Sequence, residues 1–158
     1  MSGKYKIDRA ENFTQDEIEF IKKTVLDAGE VDSGSFDRVI KKNPFLILYP
    51  SADTIKGVGA LKVPIASYKN KVFKKSKTKR NPEEFEFELG WVVSLERGKG
   101  YGKALTKILS DYKNRLYATI RDENPAMIHI IECSGFIKSG ESYKSERGDY
   151  TVGLYIKG

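Results

Sequence analysis

The amino-acid sequence predicts a mixed α/β fold that forms one domain over residues 1–158. Stretches with the two-residue period of strands and the 3.6-residue period of helices follow each other in a definite order: strand, two helices, three strands, helix, strand, helix and two strands. A chain of 158 residues is long enough for one domain with a hydrophobic core. Its composition, 39% hydrophobic and 32% charged residues, is typical of a soluble globular protein.

The first part of the chain contains signals for one strand, two helices and a hairpin. KYKID is predicted to be a short strand. Thr14 and Glu17 match a capping box that begins a helix, and Gly29 ends that helix. SFDRVIKKNP is a shorter helix that Asn43 and Pro44 terminate. The apolar segments FLILYP and VGALKV are predicted strands, and a turn at SADTIKG joins them into a hairpin.

The second part begins with a basic segment at residues 64–84 and continues with strands and helices. EFEFELGWVV alternates at first and is then continuously apolar, which indicates a strand that becomes buried along its length. RLYATIR is the next strand, and Asn124 with Pro125 begins the last helix. FIKSGESYK and YTVGLYIK are predicted closing strands, joined by SERGD. The helix before RLYATIR has an apolar stripe at Tyr101, Ala104, Leu105, Ile108, Leu109 and Tyr112.

The net charge of +6 is concentrated in KNKVFKKSKTKR, residues 69–80, which holds seven basic side chains and no acidic one. Removing these seven charges from +6 leaves −1 for the rest of the chain. A solvated, mobile loop is the commonest role of such a run. Two alternatives stay open. The segment could bind nucleic-acid phosphates while Tyr68 and Phe73 stack on bases, or the acids of the following EEFEFE could neutralise it.

Composition excludes several kinds of site and disfavours others. A single cysteine, Cys133, allows no intramolecular disulfide and no cysteine metal cluster, and a single histidine, His129, allows no multi-histidine site. Because no acidic grouping resembles a calcium loop either, we expect no metal. The sequence has no long apolar run and no apolar signal region near its N-terminus. We therefore expect a cytoplasmic protein without a membrane segment.

Three glycines in RGKGYGKAL, residues 97–105, join the buried strand to the following helix. Glycine costs conformational entropy, so bare backbone should be required here. A helix N-terminus has unpaired N–H groups and the positive end of the dipole, and Arg97, Lys99 and Lys103 add charge. These features predict a phosphate or pyrophosphate site, against the alternative that the turn only packs helix against strand. The spacing fits neither a Walker loop nor a dinucleotide-binding fingerprint.

RGKGYG resembles the Arg/Gln-x-x-Gly-x-Gly/Ala signature of the GNAT N-acetyltransferase superfamily, which also lies between a central strand and a helix. A second family signature, Asn followed by Gly-Phe eleven and twelve residues later, is matched by Asn124, Gly135 and Phe136. The resemblance covers nearly the whole chain. It implies a central, mostly antiparallel sheet with splayed middle strands and about four flanking helices. It also implies transfer of an acetyl group from acetyl-coenzyme A (acetyl-CoA) to an amine.

The resemblance further implies which residues bind the cofactor. The glycine turn would hold the pyrophosphate, and the end of the preceding strand would pair with the pantetheine amides. Asn124 would contact the pantetheine arm or fix the loop beside it. The implied cofactor-binding residues are Val92, Val93, Arg97, Gly98, Lys99, Gly100, Tyr101, Gly102, Lys103 and Asn124.

Candidate catalytic groups lie on the central strand. Glu88 is the first candidate for the base that deprotonates the amine, and Glu86 is the second. The two are two residues apart and should share one face of the strand. The alternative is that both belong to a solvated, alternating strand. The resemblance implies that a backbone N–H near Val93 stabilises the oxyanion.

The proton donor is not assigned by the resemblance, because Ile131 stands where the family often has a Tyr. We expect Cys133 to be a small buried residue and His129 to be exposed. Two other functions stay open. The basic segment supports a superfamily member that modifies a nucleic-acid base, and the missing Tyr supports a non-catalytic CoA-binding protein. Groups that could replace that Tyr are those of Cys133, Ser134, Tyr101 and Tyr143.

Overall fold

The computed structural model describes residues 5–51 and 54–158. Lys4 of the first predicted strand, and Ala52 and Asp53 of the predicted turn, lie outside the described residues. Within the described ranges, no helix is both long enough and apolar enough to cross a membrane. The chain divides into two compact units, Met1–Val63 with Gly90–Leu109 and Pro64–Leu89 with Ser110–Gly158.

The described residues form eight β-strands and five α-helices, which confirms the predicted mixed α/β class. The strands are β1 (Lys6–Arg9), β2 (Phe45–Ser51), β3 (Thr54–Lys62), β4 (Phe87–Ser94), β5 (Leu116–Arg121), β6 (Ile137–Lys138), β7 (Tyr143–Lys144) and β8 (Thr151–Lys157). The α-helices are α1 (Gln15–Asp27), α2 (Ser33–Lys41), α3 (Ala66–Ser76), α4 (Tyr101–Tyr112) and α5 (Pro125–Cys133).

The first unit packs α1 and α2 against β1, β2, β3 and the part of β4 that begins at Gly90. β1 pairs antiparallel with β2, and β2 pairs antiparallel with β3. The predicted capping box is confirmed, because the Glu17 N–H donates to the Thr14 hydroxyl and the Thr14 N–H donates to the Glu17 carboxylate. Core side chains of this unit include Ile21, Val25, Phe36, Leu46, Val58 and Trp91.

Two glycines of β3 allow α4 to lie close to that strand. A Cβ on Gly57 would lie 2.5 Å from the Leu105 Cδ1 atom, and a Cβ on Gly59 would lie 2.8 Å from the Leu109 Cδ1 atom. Both leucines are fully buried, and their spacing of four places them on one face of the helix. Small residues in β3 therefore fix how the N-terminal part of α4, with the turn before it, rests on the strand.

The second unit is built around the antiparallel pair of β5 and β8, and β6 and β7 also pair antiparallel with β8. β4 contributes its first residues to this unit and pairs parallel with β5, with Phe87 opposite Leu116 and Glu88 opposite Tyr117. The predicted mostly antiparallel sheet is thus confirmed. The parallel pairing is short for strands of eight and six residues, as expected for splayed middle strands.

The basic segment forms a helix, α3, where the sequence suggested a loop. Val72 and Phe73 are buried, and the Phe73 ring centroid lies 5.4 Å from that of Tyr117 and 5.6 Å from that of Phe85. Burial of these two side chains anchors α3 in the second unit although its other face is strongly basic. The described residues therefore form five α-helices, one more than the resemblance implied.

Two strand boundaries also differ from the sequence prediction. β3 begins at Thr54, inside the predicted turn, because its ladder with β2 continues to that residue. The predicted strand FIKSGESYK is split into β6 and β7. The split occurs near Gly140, which has a φ of +75° and passes directly against the Ser76 carbonyl, where a Cβ has no room.

Candidate active site

The glycine turn before α4 leaves open space at all three glycines. Gly98 and Gly100 have φ values of +73° and +76°, a conformation that favours glycine. Gly102, the second residue of α4, does not adopt that conformation. In the described chain, no other segment has an atom within 4 Å of a Cβ built at any of the three. Neither strain nor packing requires glycine at position 102, which favours a ligand site over a packing role.

Basic side chains and free N–H groups border this turn. Arg97, Lys99 and Lys103 are exposed. The Ala104 N–H donates to the Gly100 carbonyl over 3.0 Å and begins the hydrogen-bond ladder of α4. The amides that precede Ala104 in the first turn have no acceptor within the helix, and they lie at the positive end of its dipole. The arrangement is suited to binding the oxygens of a phosphate or pyrophosphate.

β4 is irregular at Trp91, in the first unit. Trp91 has a φ of +54°, which a bulky side chain rarely adopts, and its ring stacks on Phe36 with centroids 4.9 Å apart. Val93 is buried and Val92 is half-buried. Such an outlier redirects the backbone groups that follow it in the strand. Val92 and Val93, the predicted partners of the pantetheine amides, follow it directly.

Glu88 is a buried carboxylate of the second unit, with 5% of its surface exposed. Its Oε2 atom accepts a hydrogen bond from the Tyr68 hydroxyl of α3 over 3.3 Å. Glu86 lies before the first residue of β4 and is exposed, so the expected common face of the two carboxylates is not formed. A base that removes a proton from a bound amine needs an enclosed site. The difference in burial favours Glu88 over Glu86 as the candidate base.

Three tyrosines of the second unit lie within the electrostatic influence of Glu88. Burial, followed by the negative charge of Glu88, raises the pKa of Tyr68 and of Tyr117 above the ordinary value. The same two causes raise the pKa of Tyr143 to about 12. All three hydroxyls therefore stay protonated at neutral pH and can donate hydrogen bonds or protons.

The Tyr117 hydroxyl is buried and, among the described residues, has no partner in good hydrogen-bonding geometry, although Glu88 is near enough to raise its pKa. An unsatisfied buried hydroxyl is costly and is often found at a functional site. No sequence pattern pointed to Tyr117, and Tyr68 was suggested only as a base-stacking residue. The positions of Tyr68 and Tyr117 in the sequence do not indicate that they lie near Glu88. Strand pairing brings Tyr117 to Glu88, and the packing of α3 brings Tyr68 there.

Asn124 begins α5 as predicted, since its Oδ1 atom accepts a hydrogen bond from the Met127 N–H over 3.2 Å. This contact favours a role in fixing the start of the helix. Ile131 is fully buried and offers no proton. Ser134 is also buried, and its hydroxyl donates to the Ile130 carbonyl over 3.1 Å, which occupies its proton. Of the suggested replacements for the family Tyr, Tyr143 is the one that Glu88 influences.

The expectation that Cys133 is buried is wrong. Cys133 is exposed, and its Sγ atom lies 3.6 Å from the His129 Nε2 atom. The two residues are four apart in α5, so they share the solvent-facing side of the helix. The expected exposure of His129 is confirmed.

The basic segment is partly neutralised by ion pairs inside the second unit. Phe73 is 3% exposed and cannot stack on a base, which corrects the expectation for that residue. The neutralisation favours the internal alternative, although most of the acidic partners lie outside EEFEFE. Four of the seven basic side chains form ion pairs, Lys71 and Lys75 with Glu146, Lys77 with Glu141, and Arg80 with Glu84.

No protein-family model and no curated protein sequence matches the chain. Solved structures match it over nearly the full length of both chains. One is a GNAT-family acetyltransferase from Bacillus cereus (12% identity, 98% of this chain and 97% of that chain covered, TM-score 0.65). Another is a variant of spermidine N-acetyltransferase SpeG from Vibrio cholerae (16%, 96% and 94%, TM-score 0.63). A third is NAA60 from Arabidopsis thaliana in complex with acetyl-CoA (13%, 96% and 97%, TM-score 0.66).

The chain therefore has the fold of the GNAT N-acetyltransferases, as the two sequence signatures implied. At identities of 12% to 16%, the likeness is one of fold.

Proposed function

We propose that residues 1–158 act as one acyltransferase domain that transfers an acetyl group from acetyl-CoA to an amine. The observation that carries the proposal is the open backbone at Gly102, where neither φ nor packing calls for glycine. A pyrophosphate group is a ligand that requires bare backbone at the start of a helix. The fold supports the same assignment, since solved structures that share it include acetyltransferases and a complex with acetyl-CoA.

The cofactor would be held by residues of the first unit. The N–H groups at the start of α4 would bind the pyrophosphate, and the charges of Arg97, Lys99 and Lys103 would add to the attraction. Val92 and Val93 would pair with the pantetheine amides. For Asn124, which caps α5 in the second unit, the resemblance implies a contact with the pantetheine arm or a role in fixing a loop. Bound acetyl-CoA would supply the activated acyl group.

Glu88 is the proposed base. Its carboxylate would accept a proton from the acceptor ammonium, because only the neutral amine has the lone pair that forms the new C–N bond. The Tyr68 hydroxyl, 3.3 Å from Oε2, would hold the carboxylate in position. Tyr143, whose half-buried hydroxyl is under the influence of Glu88, is the proposed source of the proton that the departing sulfur takes up as the C–S bond breaks.

Glu88→Gln, with Glu86→Gln as its matched control, tests the assignment. Each variant removes one carboxylate from the same stretch, but only Glu88 is buried. Turnover is followed by thiol release from acetyl-CoA with a panel of amines, and cofactor affinity is measured by calorimetry. We expect Glu88→Gln to lower kcat by about a hundredfold or more and to lose the acidic limb of the pH–rate profile. Cofactor affinity should be nearly unchanged.

We expect Glu86→Gln to behave like the wild type in both measurements. Equal turnover by the wild type and Glu88→Gln would place the base elsewhere. CoA binding by a wild type that acetylates no amine would identify a CoA-binding protein without this activity.

A further inference from the structure

One face of α3 connects Tyr68 to the turn between β7 and β8, residues 145–150. Tyr68, Lys71 and Lys75 are separated by three and four residues, so they lie on the same face of the helix. Glu146 of the turn forms ion pairs with Lys75 over 3.0 Å and with Lys71 over 3.4 Å. These contacts hold the pKa of the Glu146 carboxyl below its ordinary value, Lys75 first. The turn is therefore fastened to the helix face that also presents Tyr68 to Glu88.

Arg147 follows Glu146 in this turn and is exposed. The backbone N–H of Arg147 donates to the Ser145 hydroxyl over 3.0 Å, and the backbone N–H of Ser145 donates to the Tyr150 carbonyl over 2.9 Å. The turn therefore has a defined backbone. The other acid of the turn, Asp149, is paired with Lys144 at 3.9 Å. Within the described part of the chain, no carboxylate lies within ion-pairing distance of the Arg147 guanidinium.

The α3 face and the turn paired to it are consequently cationic. Lys71, Lys75 and Arg147 contribute three positive charges, and Glu146 contributes one negative charge. Burial and the Glu88 charge raise the pKa of Tyr68, whereas the Arg147 guanidinium acts in the opposite direction. Glu88 contacts Tyr68, and the cationic residues Lys71 and Lys75 lie one and two helical turns further along the same face of α3, next to the turn that carries Arg147. This separation of a negative and a positive region matches a ligand with the opposite polarity.

We infer that the acceptor carries an anionic group as well as its amine, and that Arg147 binds this group while the amine faces Glu88. The inference rests on the proposed function, since it names the class of acceptor for the same site. A guanidinium binds carboxylates and phosphates through paired, charge-assisted hydrogen bonds. Its position on an ordered turn, instead of a mobile tail, would fix the distance between the two ends of the acceptor.

The test compares amines of equal length and different charge at the far end. γ-Aminobutyrate ends in a carboxylate, its amide is neutral, and putrescine ends in a second ammonium. O-phosphoethanolamine against ethanolamine makes the same comparison for a phosphate. We expect kcat/KM to fall by about tenfold or more from γ-aminobutyrate to its amide, the usual size of one charge-assisted hydrogen bond. Putrescine should be acetylated more slowly still.

Arg147→Gln should remove the preference for the anionic acceptor, and Arg147→Glu should shift it toward putrescine. Lys144→Gln is the matched control, because it removes an exposed cation from the same hairpin but leaves Arg147 in place. We expect this control to keep the wild-type ratio.

Acetylation of putrescine by the wild type as efficiently as γ-aminobutyrate would overturn the inference and leave the proposed function intact. An anionic preference that Arg147→Gln retains in full would also overturn it. If the wild type acetylates no amine and Glu88→Gln is indistinguishable from it, the proposed function and the inference fall together.

Discussion

Replacement of Gly102 by glutamate tests the ligand site at the glycine turn while leaving the fold undisturbed. Gly102 is the second residue of α4, outside the left-handed region, and an added side chain would enter open space. Glutamate is a better helix former than glycine by about 0.5–1 kcal/mol. An acidic side chain in the first turn of a helix adds about 0.3–1 kcal/mol through the dipole. We therefore expect the Gly102→Glu variant to be at least as stable as the wild type.

The same carboxylate would lie where the pyrophosphate is proposed to bind. Two unit charges about 5 Å apart repel by roughly 0.8 kcal/mol at the dielectric constant of water and by roughly 3 kcal/mol at an effective value of about 20. The loss of cofactor affinity should therefore lie between about fourfold and about 150-fold. Gly100→Glu is a poorer test, because Gly100 has a φ of +76° and any side chain there is strained.

Gly34→Glu is the matched control. Gly34 is the second residue of α2, is exposed, and meets its nearest atom, Arg38 Nη1, at 3.4 Å from an added Cβ. Both variants thus add the same charge to the first turn of a helix in the first unit. The assay is calorimetric titration with CoA, supported by thermal shift. A ligand at about 100 times its Kd stabilises by about 2.7 kcal/mol, and a tenfold rise in Kd lowers this to about 1.4 kcal/mol.

A folded Gly102→Glu variant that binds CoA as tightly as Gly34→Glu would refute the assignment of the pyrophosphate to this turn. Weakened binding in both variants would point to a general charge effect and would also count against it.

The remaining predictions concern the tyrosines and the basic segment. The raised pKa values of Tyr68, Tyr117 and Tyr143 mean that the folded chain keeps protons that the unfolded chain releases near pH 10, so the contribution of these three groups to the free energy of unfolding should be constant below that pH and fall as pH rises toward 12. Urea titrations at increasing pH check this, and a flat profile would contradict it. Because three of the seven basic residues form no ion pair with the described part of the chain, duplex binding should be weak, with a log–log salt slope no steeper than about −3, flattened by joint replacement of Lys74 and Lys79 by Gln. Anisotropy titrations measure that slope, and a steeper one would restore the nucleic-acid alternative.

Helices that begin at a capping side chain could be predicted from the sequence. Thr14 and Asn124 cap α1 and α5 through contacts only three residues long, so the sequence contains the whole signal. α3 has neither a capping side chain at its start nor a glycine at its end. Ile65 precedes it without a side-chain cap, and Lys77, not glycine, takes the left-handed position at its end. Only two buried apolar side chains mark its inner face, which is too few for a recognisable stripe among the four lysines of the helix.

The glycine turn could be predicted from the sequence, whereas the surroundings of Glu88 could not. The glycine turn is contiguous in sequence, so its character as an anion site could be predicted from composition and order alone. The surroundings of Glu88 come from α3, β5 and β7, which are brought together by strand pairing and helix packing. A periodic pattern reports which side of an element is buried and says nothing about which other element covers it.

The departure from the family pattern at Ile131 can be understood from these surroundings. A buried isoleucine leaves α5 without a proton donor at that position, yet the second unit places tyrosine hydroxyls from other elements under the influence of Glu88. Tyr68 already donates to the carboxylate, and Tyr117 is fully enclosed. Tyr143 is half-buried and lies on β7, outside both sequence signatures. An acid supplied from β7 would let the fold keep its base on the central strand while dispensing with the Tyr of the family pattern.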